Sequence, residues 1–193
     1  MAQPQKTVVF IGDSITEVNN PPYGEGFVAK VARALPQITP INKGIGGQAI
    51  QDLWARWTTD VIDNDPDIVV MLVGINDTRI PTDIGVFQST YLSILNSIVP
   101  LGKLFLALDC FYVPGTGDPS YDQSEMALCN IYRGLRNAVN GGNGIVNIDL
   151  QVPINAAYAA GVDMGSNGIH PNDAGHVVIA NSVTYAMKWA GWV

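Results

Sequence analysis

Four short blocks hold the residues whose types and spacing suit acyl transfer. The apolar run Val8-Val9-Phe10-Ile11 leads into Gly12-Asp13-Ser14. Asn42-Lys43-Gly44-Ile45-Gly46-Gly47 and Gly74-Ile75-Asn76-Asp77 each follow a further apolar run, and Asn167-Gly168-Ile169-His170-Pro171-Asn172 stands later in the chain. Acyl transfer needs a nucleophile, a base within reach and preorganised donors for the tetrahedral oxyanion. Ser14 offers the first, His170 the second, and the Gly47 N–H with the Asn76 side-chain amide the third. Each block also has a plainer use. Gly-Asp-Ser makes an ordinary strand-to-helix turn, Gly46-Gly47 suits a tight turn, Asn76 a turn, Asp77 a cap for the segment after it, and His170 the start of a helix. Their occurrence together in one order favours chemistry. Asp13 is expected to fix its turn by accepting backbone N–H groups and not to act as an acid. His176 falls inside a predicted helix as a packed or surface residue, and no Cys or carboxylate spacing around the two histidines supports a metal.

The hydropathy pattern supplies elements to bring these blocks together. Short apolar runs alternate with longer amphipathic ones, the pattern of an α/β domain in which crossover helices join parallel strands. Strands are predicted near Thr7–Ile11, Thr39–Asn42, Asp67–Val73, Lys103–Asp109 and Ile145–Ile148. A helix is predicted over Gly26–Leu35, where Phe27, Val28, Val31, Ala32 and Leu35 share one face. Others are predicted near Ile50–Asp63, Ile84–Val99, Ser120–Val139 and Asn172–Trp189, the last opening after Pro171. Ligands of an open parallel sheet bind outside the carboxyl ends of its strands. Ser14, Gly47 and Asn76 all follow predicted strand ends. Trp54 and Trp57 stand three apart in an amphipathic segment and read as core packing.

Composition narrows the classes. With 193 residues, 47% hydrophobic and 14% charged, the chain is expected to form one domain over residues 1–193, the Gly- and Pro-rich stretches at Asn19–Tyr23, Val113–Pro119 and Asn140–Gly144 being loops within it. A net charge of -7, a pI near 4.5 and only 10 Lys and Arg argue against a nucleic-acid partner. Cys110 and Cys129 lie outside any metal-ligand or redox spacing and read as two buried thiols. No basic segment, apolar stretch and cleavage site precede the first strand, so the expected setting is cytoplasmic, although a leader removed beforehand would leave no trace. No stretch is expected to span a bilayer. No Gly-x-Gly-x-x-Gly opens a helix after a strand, and neither a cofactor nor a metal is expected.

The four blocks, in this order, resemble those of the SGNH hydrolases, also called the GDSL esterase and lipase family, and the resemblance runs from about Val8 to Ala180. It implies a three-layer α/β/α sandwich on a five-stranded parallel sheet of flavodoxin-like topology. It also implies that Ser14 is the nucleophile, that the Ser14 N–H, Gly47 and Asn76 form the oxyanion hole, and that His170 is the base. Asp52-Leu53-Trp54-Ala55-Arg56-Trp57 and Gly74-Ile75-Asn76-Asp77-Thr78 look like the small, lid-poor esterase branch tied to acetylated sugars.

One position departs from the pattern: Asn167 stands three residues before His170, where the family has Asp. A carboxylate there accepts Nδ1–H, so that Nε2 faces the serine, and stabilises the imidazolium that forms. An Asn carbonyl oxygen does the first and offers only a dipole for the second. Three readings are open: Asn167 is a natural substitution beside a Ser14–His170 dyad, Asp163 or another carboxylate orients His170, or Asn167 was introduced to trap a ligand. The expectation is a serine esterase for short-chain acetyl esters, with carbohydrate as a candidate leaving alcohol. The alternatives are a weakened binding protein that keeps the cleft, and an acyltransferase using the same pair.

Overall fold

The run Val8–Ile11 carries no polar alternation because its strand is covered by helices on both faces. That strand, β1 (Lys6–Gly12), belongs to a computed structural model that describes residues 5–18, 25–114, 129–132, 134, 144–165 and 168–193. Beside it run β2 (Ile38–Gly44), β3 (Ile68–Leu72), β4 (Leu104–Leu108) and β5 (Ile145–Ile148). All neighbours are parallel, in the order β2-β1-β3-β4-β5. This is the flavodoxin-like order, and the five predicted strands all form, within two residues at each end. Gly12 pairs with Gly44 of β2 and with Leu72 of β3, so three strands end level and release their loops at one edge.

The helices are α1 (Ser14–Glu17), α2 (Phe27–Ala34), α3 (Ile50–Ala55), α4 (Trp57–Asp60), α5 (Ile75–Arg79), α6 (Ile84–Ile98), α7 (Gln151–Ala159) and α8 (Asp173–Trp189). Alternate residues of the strands face opposite layers. Val8, Phe10, Val70 and Leu106 pack with Phe27 and Val31 of α2, Ile154 of α7 and Ile179 and Val183 of α8. Val9, Ile11, Val69 and Phe105 pack with Leu53 of α3 and with Phe87, Tyr91 and Ile94 of α6. The result is the expected three-layer α/β/α arrangement. The predicted face of α2 is the buried one, with Leu35 buried just past its end.

Several expectations need correction. The predicted helix Ile50–Asp63 breaks at Arg56 (φ -109, ψ 9) into α3, α4 and a 3-10 turn at Ile62–Asn64. Arg56 leaves helical geometry while its guanidinium bonds three backbone and side-chain oxygens of other segments and one within α4. Trp57 is buried as expected, but Trp54 is 41% exposed on the far side of that break. Helix α7 was not predicted. Its Pro153 sits in the first turn, where a helix tolerates the missing N–H, but the residue reads as a breaker in sequence. Ile84–Leu101, with mean hydropathy 1.3, is long and apolar enough by length and composition to cross a bilayer, contrary to the expectation that no stretch is. Here its apolar residues include Phe87, Tyr91, Ile94, Leu95 and Ile98, buried against the sheet. The predicted helix Ser120–Val139 falls mainly outside the described residues, although 129–132 and 134 are helical. Most of the three predicted loop stretches also lies outside them. Cys110 and Cys129 are buried as expected, and they face each other with sulfurs 2.6 Å apart.

Candidate active site

Asp13 begins the site. As N-cap of α1 its Oδ1 accepts the Ile15 N–H at 2.9 Å, the turn-fixing role expected of it. The side chain is fully buried, and burial, with a smaller push from the charge of Asp77, raises its pKa to about 7. Ser14 is the first residue of α1, where helix geometry gives its N–H no intrahelical acceptor. Its Oγ lies 2.9 Å from Nε2 of His170, 156 residues away in sequence.

The loop after β2 is held from several sides. Asn42 donates its amide to Thr16 O at 2.8 Å and accepts the Gly44 N–H at 2.9 Å. A Cβ on Gly44 would stand 2.2 Å from the Glu17 nitrogen, so only glycine lets β2 pass so close to α1. Glu17 accepts the Gly46 N–H at 2.8 Å. Gly47 has φ +78, a conformation that L side chains rarely adopt, while a Cβ there would meet no heavy atom within 4 Å. Backbone conformation, not crowding, therefore selects glycine at this position. Among the described residues the N–H groups of Ser14 and Gly47 have no backbone acceptor.

Asn76 lies in the first turn of α5 and donates its amide to the Gln48 carbonyl at 3.0 Å. An NH₂ group has a second hydrogen, which this bond leaves over. Gln48 is fixed in turn by Arg56, whose Nε donates to its Oε1 at 2.6 Å. Arg56 also donates to Gly12 O at 3.1 Å, Lys43 O at 2.8 Å and Asp60 at 2.7 Å. One guanidinium thus ties together the ends of β1 and β2 and the loop that leads to α3. The expectation that Asp77 caps the segment after it is corrected, since Asp83 caps α6. The buried carboxylate of Asp77 accepts the Ile50 N–H at the start of α3 and the Thr82 hydroxyl at 2.7 Å, tying two loops of the same edge together.

His170 is held differently. Its segment crosses between α7 and α8, tied by a bridge between Gly165 and Pro171, by Asn172 N–H to Met164 O at 2.8 Å, and by Val113 N–H to Gly168 O at 3.0 Å. Asn172 then caps α8 by accepting the Gly175 N–H. Burial, and secondarily the positive charge of Arg79, holds the imidazole below its ordinary pKa, which favours the neutral form a base requires. Asn167 lies outside the described residues. Asp163, the alternative orienting group, is exposed and turns its carboxylate to the Gly165 N–H at 3.2 Å. His176 is a packed residue: its Nδ1 accepts the Phe27 N–H at 3.2 Å, its ring stacks on Phe27, and burial pushes its pKa down to about 4.

Ser14, Gly47, Asn76 and His170 are therefore distributed over four segments of one sheet edge. A cavity of about 280 Å³ opens there, lined by Gly47, Asn76, Arg79 and Ile80. Sequence reasoning missed Arg56, Gln48 and Arg79. None of them belongs to a periodic pattern, and each acts on a segment far from it in sequence.

Comparison with known proteins gives the chain a family. Residues 10–178 match the model of the GDSL-like Lipase/Acylhydrolase family. An acetylxylan esterase of Geobacillus stearothermophilus is 30% identical over 204 residues, covering 91% of this chain and 90% of the relative. The crystal structure of Axe2, an acetylxylan esterase from the same organism, superposes with a TM-score of 0.75 at 28% identity, over 97% of this chain and 95% of that one. LAE5, an alpha/beta hydrolase enzyme from the metagenome of Lake Arreo, Spain, gives a TM-score of 0.77 at 26% identity, over 97% and 96%. The chain belongs to the GDSL-like lipase/acylhydrolase family and is a carboxylic ester hydrolase.

Proposed function

We propose that this chain removes acetyl groups from acetylated carbohydrate by way of an acyl-enzyme on Ser14. The reading rests on the 2.9 Å approach of Ser14 Oγ to His170 Nε2. His170 takes the hydroxyl proton as Oγ attacks the ester carbonyl, forming the tetrahedral intermediate. The N–H groups of Ser14 and Gly47 and the remaining Asn76 amide hydrogen receive the oxyanion. His170 then gives its proton to the leaving sugar oxygen as the carbon–oxygen bond breaks, leaving acetyl-Ser14. Water, deprotonated by the same imidazole, attacks that ester, and collapse of the second intermediate releases acetate and restores the serine. In this scheme Asn167 is assigned the orienting of His170 through its side-chain oxygen.

The names of the relatives support the acetyl and carbohydrate parts of the reading. Replacing Ser14 by Ala is expected to cut both 4-nitrophenyl acetate turnover and acetate release from acetylated xylo-oligosaccharides by about 10⁴-fold or more, with the circular-dichroism spectrum unchanged. Wild-type rates in the Ala variant would refute the assignment.

A further inference from the structure

Arg79 stands at this edge and takes part in no bond-making step of the hydrolytic scheme. It ends α5 one helical turn after Asn76, so the two side chains share a face and line the same cavity with Gly47 and Ile80. Its side chain is exposed. Arg33 pairs with Glu25 and Arg56 with Asp60, yet among the described residues Arg79 has no carboxylate partner. The chain has 17 acidic residues against 10 Lys and Arg, so a shortage of carboxylates does not explain this. Its charge is nevertheless felt at the site, where it helps to hold the His170 imidazole neutral.

We propose that Arg79 is a specificity-determining residue that receives a carboxylate on the sugar portion of the ester, so that acetylated oligosaccharides bearing a uronic acid are preferred over neutral ones. The inference rests on the acetyl-carbohydrate reading above and adds the charge of the substrate to it. An acetyl group has only two carbons and ends at the oxyanion donors. What extends over the exposed rim of the cavity is therefore the alcohol. Guanidinium is planar and presents paired N–H donors that match a carboxylate. Beside it Ile80, 77% exposed, offers apolar surface to the C–H face of a sugar ring. In a chain of net charge -7, an anionic substrate meets repulsion over most of the surface, and Arg79 supplies local attraction at the point of reaction.

The test compares kcat/KM for acetylated xylo-oligosaccharides with and without a glucuronate branch, in the wild type and in Arg79→Gln, Arg79→Lys and Arg79→Glu. The expected wild-type preference for the charged substrate is about fivefold at low ionic strength, the scale of a solvent-exposed ion pair, shrinking toward unity in about 0.5 M salt. Arg79→Gln should bring the ratio to about one, Arg79→Glu below one, and Arg79→Lys should keep part of it. Turnover of the neutral substrate by each variant reports the esterase separately. If that turnover persists while the ratio is the same in wild type and Arg79→Gln, the inference falls and the esterase reading stands. If the wild type hydrolyses neither oligosaccharide, both fall. A preference for 4-nitrophenyl hemisuccinate over 4-nitrophenyl butyrate that disappears in Arg79→Gln, with none among the oligosaccharides, overturns the inference by moving the charge to the acyl side.

Discussion

The two halves of the site are built by different means. On the proposed oxyanion side, Ser14, Gly47 and Asn76 stand at the level ends of β1, β2 and β3, and Asn42, Gln48, Arg56 and Asp77 lace their loops together. On the proposed base side, His170 sits on a connecting segment held by two backbone hydrogen bonds, one of them within the Gly165–Pro171 bridge, and by the cap of α8. Oxyanion stabilisation requires donors fixed before the reaction begins, because donors that must reorient lose their advantage. An imidazole that moves protons in both directions needs a correct tautomer and a short path more than a rigid frame. The sheet edge serves the first requirement, and a tethered loop is sufficient for the second.

Breaking the laced half should cost the most. Asn76→Ala removes a donor and also releases the Gln48 carbonyl, and kcat for 4-nitrophenyl acetate is expected to fall about 10²-fold with little change in KM. A loss confined to KM would mean that Asn76 only shapes the cavity. The base half should respond in the opposite direction: Asn167→Asp supplies the charge that a forming imidazolium lacks, and steady-state kinetics should show kcat rising about tenfold. An unchanged or lower rate would mean that another group already orients His170.

A smaller effect concerns the buried acid under the nucleophile. The folded pKa of Asp13 is raised from 3.8 to about 7, so between those values the folded protein keeps a proton that the unfolded chain has lost. The contribution of this group to stability is full below pH 3.8 and declines as pH rises through about 7. Asp13→Asn retains the acceptor for Ile15 N–H and removes the ionisation. Relative to wild type, its Tm should be about 5 °C better at pH 8 than at pH 5. A difference independent of pH would mean that Asp13 does not titrate in this range.

The same division decides what was legible in the sequence. Strand cores such as Val8–Ile11 and Ile68–Leu72 announce themselves because burial on both faces excludes polar residues over several consecutive positions. Ser14, Gly47 and Asn76 were singled out because each follows a strand and His170 because it shortly precedes a helix, and because together they form a chemical set. The lacing was not legible. Arg56 occupies what reads as the polar face of a helix, and nothing local indicates that its donors reach Gly12 and Lys43. Asp77 looks like a cap for the segment after it, yet it serves the start of α3. A polar side chain that bonds the backbone of a distant segment leaves no periodicity, so its partner becomes visible only once the strands are ordered.

The separation of 156 residues between Ser14 and His170 also governs when activity arises. The proposed nucleophile follows the first strand, whereas the proposed base waits on the arrival of α8, which is joined to α2 by His176 accepting the Phe27 N–H and by the 2.7 Å pair of Lys30 with Asp173. Contacts so distant along the chain are late to form, since the loop they close must lose its freedom first. A chain synthesised from its N-terminus therefore displays Ser14 long before it can use it. On the proposed mechanism, recovery of ester hydrolysis during refolding is expected to follow the docking of α8.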